Sequence, residues 1–235
     1  MTLLVTEIHN HDDPGRATIV FAADRRISAG GQYHGSRKKI FEIPRLNAAI
    51  GYFGLAEVRG GPMAEWLSSH LRRDSSHCLA DFAAALAARL NDAVPAGHRR
   101  SEPSGFHISG FTPERRAEFW YVRNITDAGQ PTGSYEARED FQGRDASTLQ
   151  PGHAQIYRNG DLLPHVLLWG VLDEALAPLL DRADFRRVRS VLDYARWVRF
   201  KLEVIAYVYK QWCTRSIIGR PIDVICITSS RVRTV

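Results

Sequence analysis

Ala17-Thr18-Ile19-Val20-Phe21-Ala22-Ala23-Asp24-Arg25-Arg26 is an apolar run that stops on one acid and two bases. Its apolar part, Ala17–Ala23, predicts a strand. Leu3–Ile8 has the same short, β-branched character. Between them, His9–Arg16 carries Asn10, Asp12, Asp13, Pro14 and Gly15, which is turn chemistry. The two runs therefore read as a hairpin with a long loop. Just ahead of the first strand stands Thr2, behind Met1. A threonine exposed at an N-terminus can be a complete catalyst, its hydroxyl the nucleophile and its own amine the base. Thr2 can act so only if Met1 is removed, and its short side chain suits removal.

Downstream, Gln32–Ser36 is polar and reads as loop. Ile40–Ile43 and Ala48–Phe53 form a further strand pair, parted at Pro44-Arg45. From Pro62, Met63, Trp66, Leu67 and Leu71 recur at helical spacing. Leu79, Phe82, Ala83, Leu86, Leu90 and Val94 make a second apolar stripe, ended by Pro95-Ala96-Gly97. Gly105–Phe111 and Ala117–Val122 read as strands around a turn at Pro113. Asn124–Gly152 is rich in Gly, Asp, Gln and Thr and reads as irregular. Leu162–Leu180 and Ala183–Trp212 read as helices, the second with a stripe through Phe185, Val188, Leu192, Ala195, Val198, Leu202 and Ile205. Ile222–Thr228 closes the chain as a strand. Strands, two helices, strands, two helices and a strand suit two sheets covered by helices. No linker or repeat divides residues 1–235, so a single domain is expected.

The 235 residues are 44% hydrophobic and 24% charged, an ordinary globular mixture that excludes disorder. No apolar run approaches the ~20 residues needed to span a bilayer, so no membrane segment is expected. No basic n-region leads into an apolar h-region, so no secretory signal is expected either. Cys78, Cys213 and Cys226 fit neither a disulfide framework nor a metal clamp, which favours a reducing, cytoplasmic setting. The formal charge of +5 bears on solubility and encounter before function, and nucleic acid is not the expected partner.

Four motifs in order carry a family resemblance: Met1-Thr2, then Ala22-Ala23-Asp24-Arg25-Arg26, then Arg37-Lys38-Lys39-Ile40, then Ile50-Gly51-Tyr52-Phe53-Gly54. They resemble the proteasome β-subunit superfamily of N-terminal-nucleophile hydrolases. The nearest likeness is to its bacterial branch, with the betaproteobacterial proteasome-homologue group as the possible subgroup. Ile218-Gly219-Arg220-Pro221-Ile222-Asp223-Val224 is similar to the closing strand of the bacterial members, and Trp169-Gly170-Val171-Leu172-Asp173 to a helix segment. The strong match covers roughly the first sixty residues.

The resemblance implies an α+β fold, a four-layer αββα sandwich. It implies threonine-type peptide hydrolysis with Thr2 as nucleophile, Lys39 as electrostatic activator, Asp24 as its partner and Gly51 as oxyanion donor. A free α-amine titrates near ~7.7–8.0, so it can take the hydroxyl proton, and a nearby lysine lowers that value further. A buried ammonium needs a carboxylate, and a glycine lets its N–H approach an oxyanion. No cofactor and no metal are implied. Peptides or unfolded proteins are the implied substrates, handled inside a homo-oligomeric double ring that a separate ATP-driven unfoldase can feed.

Each residue also has a plainer reading. Asp24 could pair on the surface with Arg25 or Arg26. Lys38 and Lys39 point to opposite faces of a strand, so one at most enters the site, and Lys38 stays open as that one. Gly51 could be a turn or close-packing glycine. The family's Ser-Gly and Asp-x-x-Ser segments, which support the nucleophile's amine, are replaced by Asn159-Gly160-Asp161 and Arg215-Ser216-Ile217-Ile218. Asp161 or Ser216 could substitute. These departures leave two other functions open: a small-molecule amidohydrolase with the same nucleophile, and an inactive ring scaffold or basic nucleic-acid-binding module. His9, His11, Asp12 and Asp13 read as solvated loop residues, since no ligand at a diagnostic spacing completes them. Arg182, Arg186, Arg189 and Arg196 read as a solvated face or subunit contact. Cys226 reads as core.

Overall fold

A computed structural model of the chain describes residues 3–9, 17–29, 32–141, 154–160, 165–180, 190–214 and 217–235. Thr2, His11, Asp12, Asp13, Asp161, Arg182, Arg186, Arg189, Arg215 and Ser216 lie outside these residues.

The opening hairpin forms as β1 (Leu3–His9) and β2 (Thr18–Asp24), paired from Leu4↔Ala23 to His9↔Thr18. The chain continues through β3 (Arg26–Ala29) and β4 (Gln32–Ser36), a small two-stranded ribbon. Gln32–Ser36, expected as loop, is thus paired, and its register shifts between Ile27 and Ser28. Polar side chains hid this strand, because an isolated ribbon needs no apolar face. β5 (Ile40–Ile43) and β6 (Ala48–Phe53) follow, joined by a 3-10 turn at Pro44–Leu46. Asn47 leaves that turn at φ 45°, a left-handed conformation that asparagine tolerates.

A short hairpin of β7 (Glu57–Val58) and β8 (Gly61–Pro62) leads into α1 (Met63–Arg73), α2 (Leu79–Ala93) and the brief α3 (Ala96–Ser101). Then come β9 (Gly105–Phe111), β10 (Ala117–Ile125) and β11 (Pro131–Phe141). The expectation that Asn124–Gly152 is irregular is overturned at Pro131–Phe141. This edge strand buries Tyr135 and Phe141 and leaves Thr132, Glu136, Arg138 and Asp140 exposed, so most of its charges face outward.

β12 (Ala154–Gly160) had no sequence signal beyond its neighbours. One π-helical turn, His165–Trp169, runs into α4 (Gly170–Leu180). α5 spans Val191–Trp212 rather than starting at Ala183. A capping box sets its start: Ser190 Oγ accepts from Asp193 N–H, and the Asp193 carboxylate accepts from Ser190 N–H. β13 (Ile222–Thr228) and β14 (Arg231–Thr234) end the chain.

The result is α+β, with two five-stranded antiparallel sheets among the described residues. One runs β12-β1-β2-β13-β14 and the other β11-β10-β9-β6-β5. Three apolar clusters organise them. One joins the first sheet to the second through Leu4, Ile8, Phe21, Ile40, Phe53 and Phe119. Another sets α1 and α2 against the second sheet through Leu67, Phe82, Leu86, Ile50 and Ile108. A third sets Trp169 and α5 against the first sheet through Leu3, Val5, Val198 and Leu202. β1 and β2 are buried on both faces, which is why they read as continuous apolar runs rather than alternating ones. No helix among the described residues is long and apolar enough to cross a membrane.

Candidate active site

The end of β2 and the start of β1 lie side by side, and Asp24 stands at that junction. Its side chain is wholly buried. Asp24 Oδ1 accepts from Leu3 N–H at 2.9 Å and from Lys39 Nζ at 3.0 Å. Asp24 Oδ2 accepts from Arg26 N–H at 3.1 Å and Gly219 N–H at 3.3 Å. One carboxylate therefore ties together the first strand, the start of β3, the approach to β5 and the approach to β13. The surface ion pair weighed for Asp24 belongs to another residue. Arg25 instead grips Asp223 with two 2.7 Å bonds.

Lys39 is wholly buried, whereas Lys38 is exposed and lies over the Phe41 ring at 5.3 Å. Lys39 is thus the lysine that meets Asp24. Lys39 Nζ also donates to Arg26 O at 2.6 Å. Burial pulls Lys39 below the ordinary lysine range, and the Asp24 carboxylate works in the other direction. The Asp24–Lys39 pair sits one peptide from residue 2, because the N–H that Asp24 binds is that of Leu3.

Gly51 lies inside β6, between Ile40 of β5 and His107 of β9. Tyr52 N–H donates to Lys39 O, so strand alternation turns Gly51 N–H the other way, toward β9. An N–H directed into the sheet does not fit the oxyanion-donor role expected of it. A Cβ here would lie 2.6 Å from Leu4 Cδ1 and 3.0 Å from Ile40 Cγ2. What Gly51 does in this fold is let β1 approach β6 closely.

Two further polar clusters border β1, and neither was foreseen. On its inner face, Thr6 Oγ1 meets His107 Nδ1 at 2.9 Å, and His107 Nε2 meets Asn159 Oδ1 at 2.6 Å. The bond to a carbonyl oxygen places the ring proton on Nε2 and leaves Nδ1 to accept from Thr6. Burial pushes His107 down to about 3, so the ring is neutral. Asn159 belongs to the Asn159-Gly160-Asp161 stretch. It lies opposite Leu4, and Gly160 lies opposite Leu3.

On the outer face, Glu7 accepts from Trp169 Nε1 at 3.0 Å, Lys201 Nζ at 3.4 Å and His9 Nε2 at 2.8 Å. Lys201 also meets both Asp173 oxygens, at 3.0 and 3.1 Å, and lies 4.2 Å from the Trp169 ring centre. His9, one of the residues weighed for a metal, is thus a partner of Glu7. A signal for Lys201 existed: it falls three residues after Val198, next to Leu202, on the buried face of α5. A lysine there demands a buried acid. Cys226, expected in the core, is buried, and burial pushes its thiol up to about 12.

In sequence comparisons, no protein-family model and no curated protein matches the chain.

Proposed function

We propose that this chain is a threonine peptidase of the N-terminal-nucleophile type, a single domain with a four-layer αββα architecture. The observation that carries this reading is the buried Asp24–Lys39 pair, bonded to the N–H of Leu3. The order of the three apolar clusters, helices on sheet, sheet on sheet and sheet on helices, supports the architecture. Buried charge beside the residue that follows a candidate nucleophile has a direct chemical use. With Met1 removed, the Thr2 α-amine would titrate beside a cation that favours its neutral form. The amine then accepts the Thr2 hydroxyl proton while Oγ attacks the peptide carbonyl. The tetrahedral intermediate expels the substrate amine, which takes that proton. Water, deprotonated by the same α-amine, resolves the Thr2 ester and regenerates the hydroxyl.

Peptides or unfolded proteins are the proposed substrates, in the cytoplasm. The proposed assembly is a homo-oligomeric double ring fed by a separate ATP-driven unfoldase. Intact mass of the purified protein tests the chemistry. Loss of one methionine is expected, then a single adduct with a peptide epoxyketone that Thr2→Ala abolishes. Retention of Met1 in protein from the native host would overturn the reading. Light scattering that found only monomer would remove the ring.

A further inference from the structure

α1 and α2 border an open groove of about 400 Å³ on the side of their sheet away from Asp24 and Lys39. Trp66, Ser69, His70 and Arg73 supply one wall, spaced as one face of α1. Arg89, Asp92 and Ala93 supply the other, spaced as one face of α2, and Arg59 also lines the groove. Three arginines therefore line a space of ligand size. Arg59 is paired with Asp92, which neutralises the one acid. Among the described residues, Arg73 and Arg89 have no carboxylate within ion-pair distance.

His70 is the second observation. It is 3% exposed, and among the described residues neither Nδ1 nor Nε2 has a hydrogen-bond partner. Burial, with the Arg89 and Arg45 charges, holds it down at about 4, so it is neutral near pH 7. A buried ring with two unmatched nitrogens is costly unless something in the groove pairs with it. Trp66 stacks on it at 5.8 Å and Phe82 flanks it at 5.5 Å, which fixes the ring.

A plain alternative exists for part of this. Arg73 lies in the last turn of α1, where a cation suits the helix dipole. That does not extend to α2, which has no basic residue in its last turn, and it does not account for His70.

We propose that this groove binds a phosphate monoester. The Arg73 and Arg89 guanidinium forks, the Ser69 hydroxyl and a neutral imidazole approach from both helices, and an oxyanion with several oxygens can meet them together. The imidazole offers one donor and one acceptor, matching a phosphate oxygen and a donor group on the same ligand. The site is independent of the peptidase reading and survives its failure.

Calorimetric titration of the full chain with inorganic phosphate, then with phenyl phosphate, tests it. Saturable one-site binding below about 10 mM is expected, weakened at least tenfold in Arg89→Gln and Arg73→Gln. Arg220→Gln, a surface change elsewhere, should leave it unaltered. His70→Phe should weaken phosphate binding while leaving the thermal midpoint of the free protein equal or higher, since it removes unpaired nitrogens among aromatic neighbours. No saturable heat with the wild type would overturn the proposal. So would equal weakening by Arg220→Gln, or affinity unchanged in both arginine variants.

Discussion

Lys39 and Lys201 both lie inside this protein, on either side of the first strand, and they are held differently. Lys201 has two carboxylates, Glu7 and Asp173, and the face of Trp169. Lys39 has one carboxylate oxygen and one backbone carbonyl. Its carboxylate is shared with three backbone N–H groups, so part of that negative charge is already engaged. A cation surrounded by acids is neutralised and joins elements. A cation with half a partner retains field, and that field falls on the peptide leading to residue 2. The first arrangement locks α4 and α5 onto β1, and the second is the one that, on the proposed reading, would condition the chemistry of residue 2.

The sharpest way to break this contrast is to remove each charge while keeping the stem. Lys39→Met should lower peptide hydrolysis by roughly 10²–10³-fold, the scale of losing one preorganised electrostatic group. Lys201→Met should leave the rate per folded molecule within a few-fold. Fluorogenic peptide turnover, normalised to the folded fraction by circular dichroism, makes the measurement. Equal losses in both variants would erase the distinction between the two lysines. For stability the order reverses. Lys201→Met should cost about 3–5 kcal/mol in urea unfolding, because it takes the ammonium partner from the buried Glu7.

The first of these sites was legible from the sequence and the second was not, for a physical reason. Asp24 and Lys39 each end or precede an apolar strand, and a charge next to a buried run is visible in a linear reading. Strands β1, β2 and β6 were legible because their runs are nearly all apolar, and β5, β9 and β13 because apolar residues dominate or alternate in them. Helices α1 and α2 were legible from their stripes. β4 and β11 were not, since edge and ribbon strands carry polar side chains that look like loop. Glu7, Thr6, His107 and Asn159 were invisible because their partners lie far away in sequence, 194 positions in the case of Glu7 and Lys201. Gly51 was legible as a special position, with close packing one of its readings, but its partner Leu4, 47 positions away, was not.

Acid separates the two clusters further. Burial pushes Glu7 up, but the His9 bond and the Lys201 and His9 charges outweigh it and bring it from 4.5 to about 2. A carboxylate with a depressed folded value binds its proton more readily when unfolded. Its contribution is therefore complete above pH 4.5 and is lost as pH falls toward 2. The size is on the order of 3 kcal/mol for full loss. His70 at about 4 and His107 at about 3 also weaken the fold as pH falls below their ordinary 6.5. The readout is thus a difference. Urea midpoints of Glu7→Gln should fall less steeply than wild type between pH 4.5 and 2 and run parallel to it above pH 5. Identical slopes across the acid window would refute the Glu7 assignment.

The smallest expected effect tests the wall between the clusters. Gly51→Ala would place a methyl group 2.6 Å from Leu4 Cδ1 and 3.0 Å from Ile40 Cγ2. Both are side-chain atoms that can shift, so the expected cost is about 1–3 kcal/mol of stability, as for other overpacked cores. The backbone N–H is kept, and it already points toward His107. Activity per folded molecule should therefore stay within about threefold of wild type. A loss of a hundredfold at unchanged stability would return Gly51 to the reaction itself. It would also mean that β1 must sit on β6 to within a fraction of an ångström for Lys39 to act on residue 2.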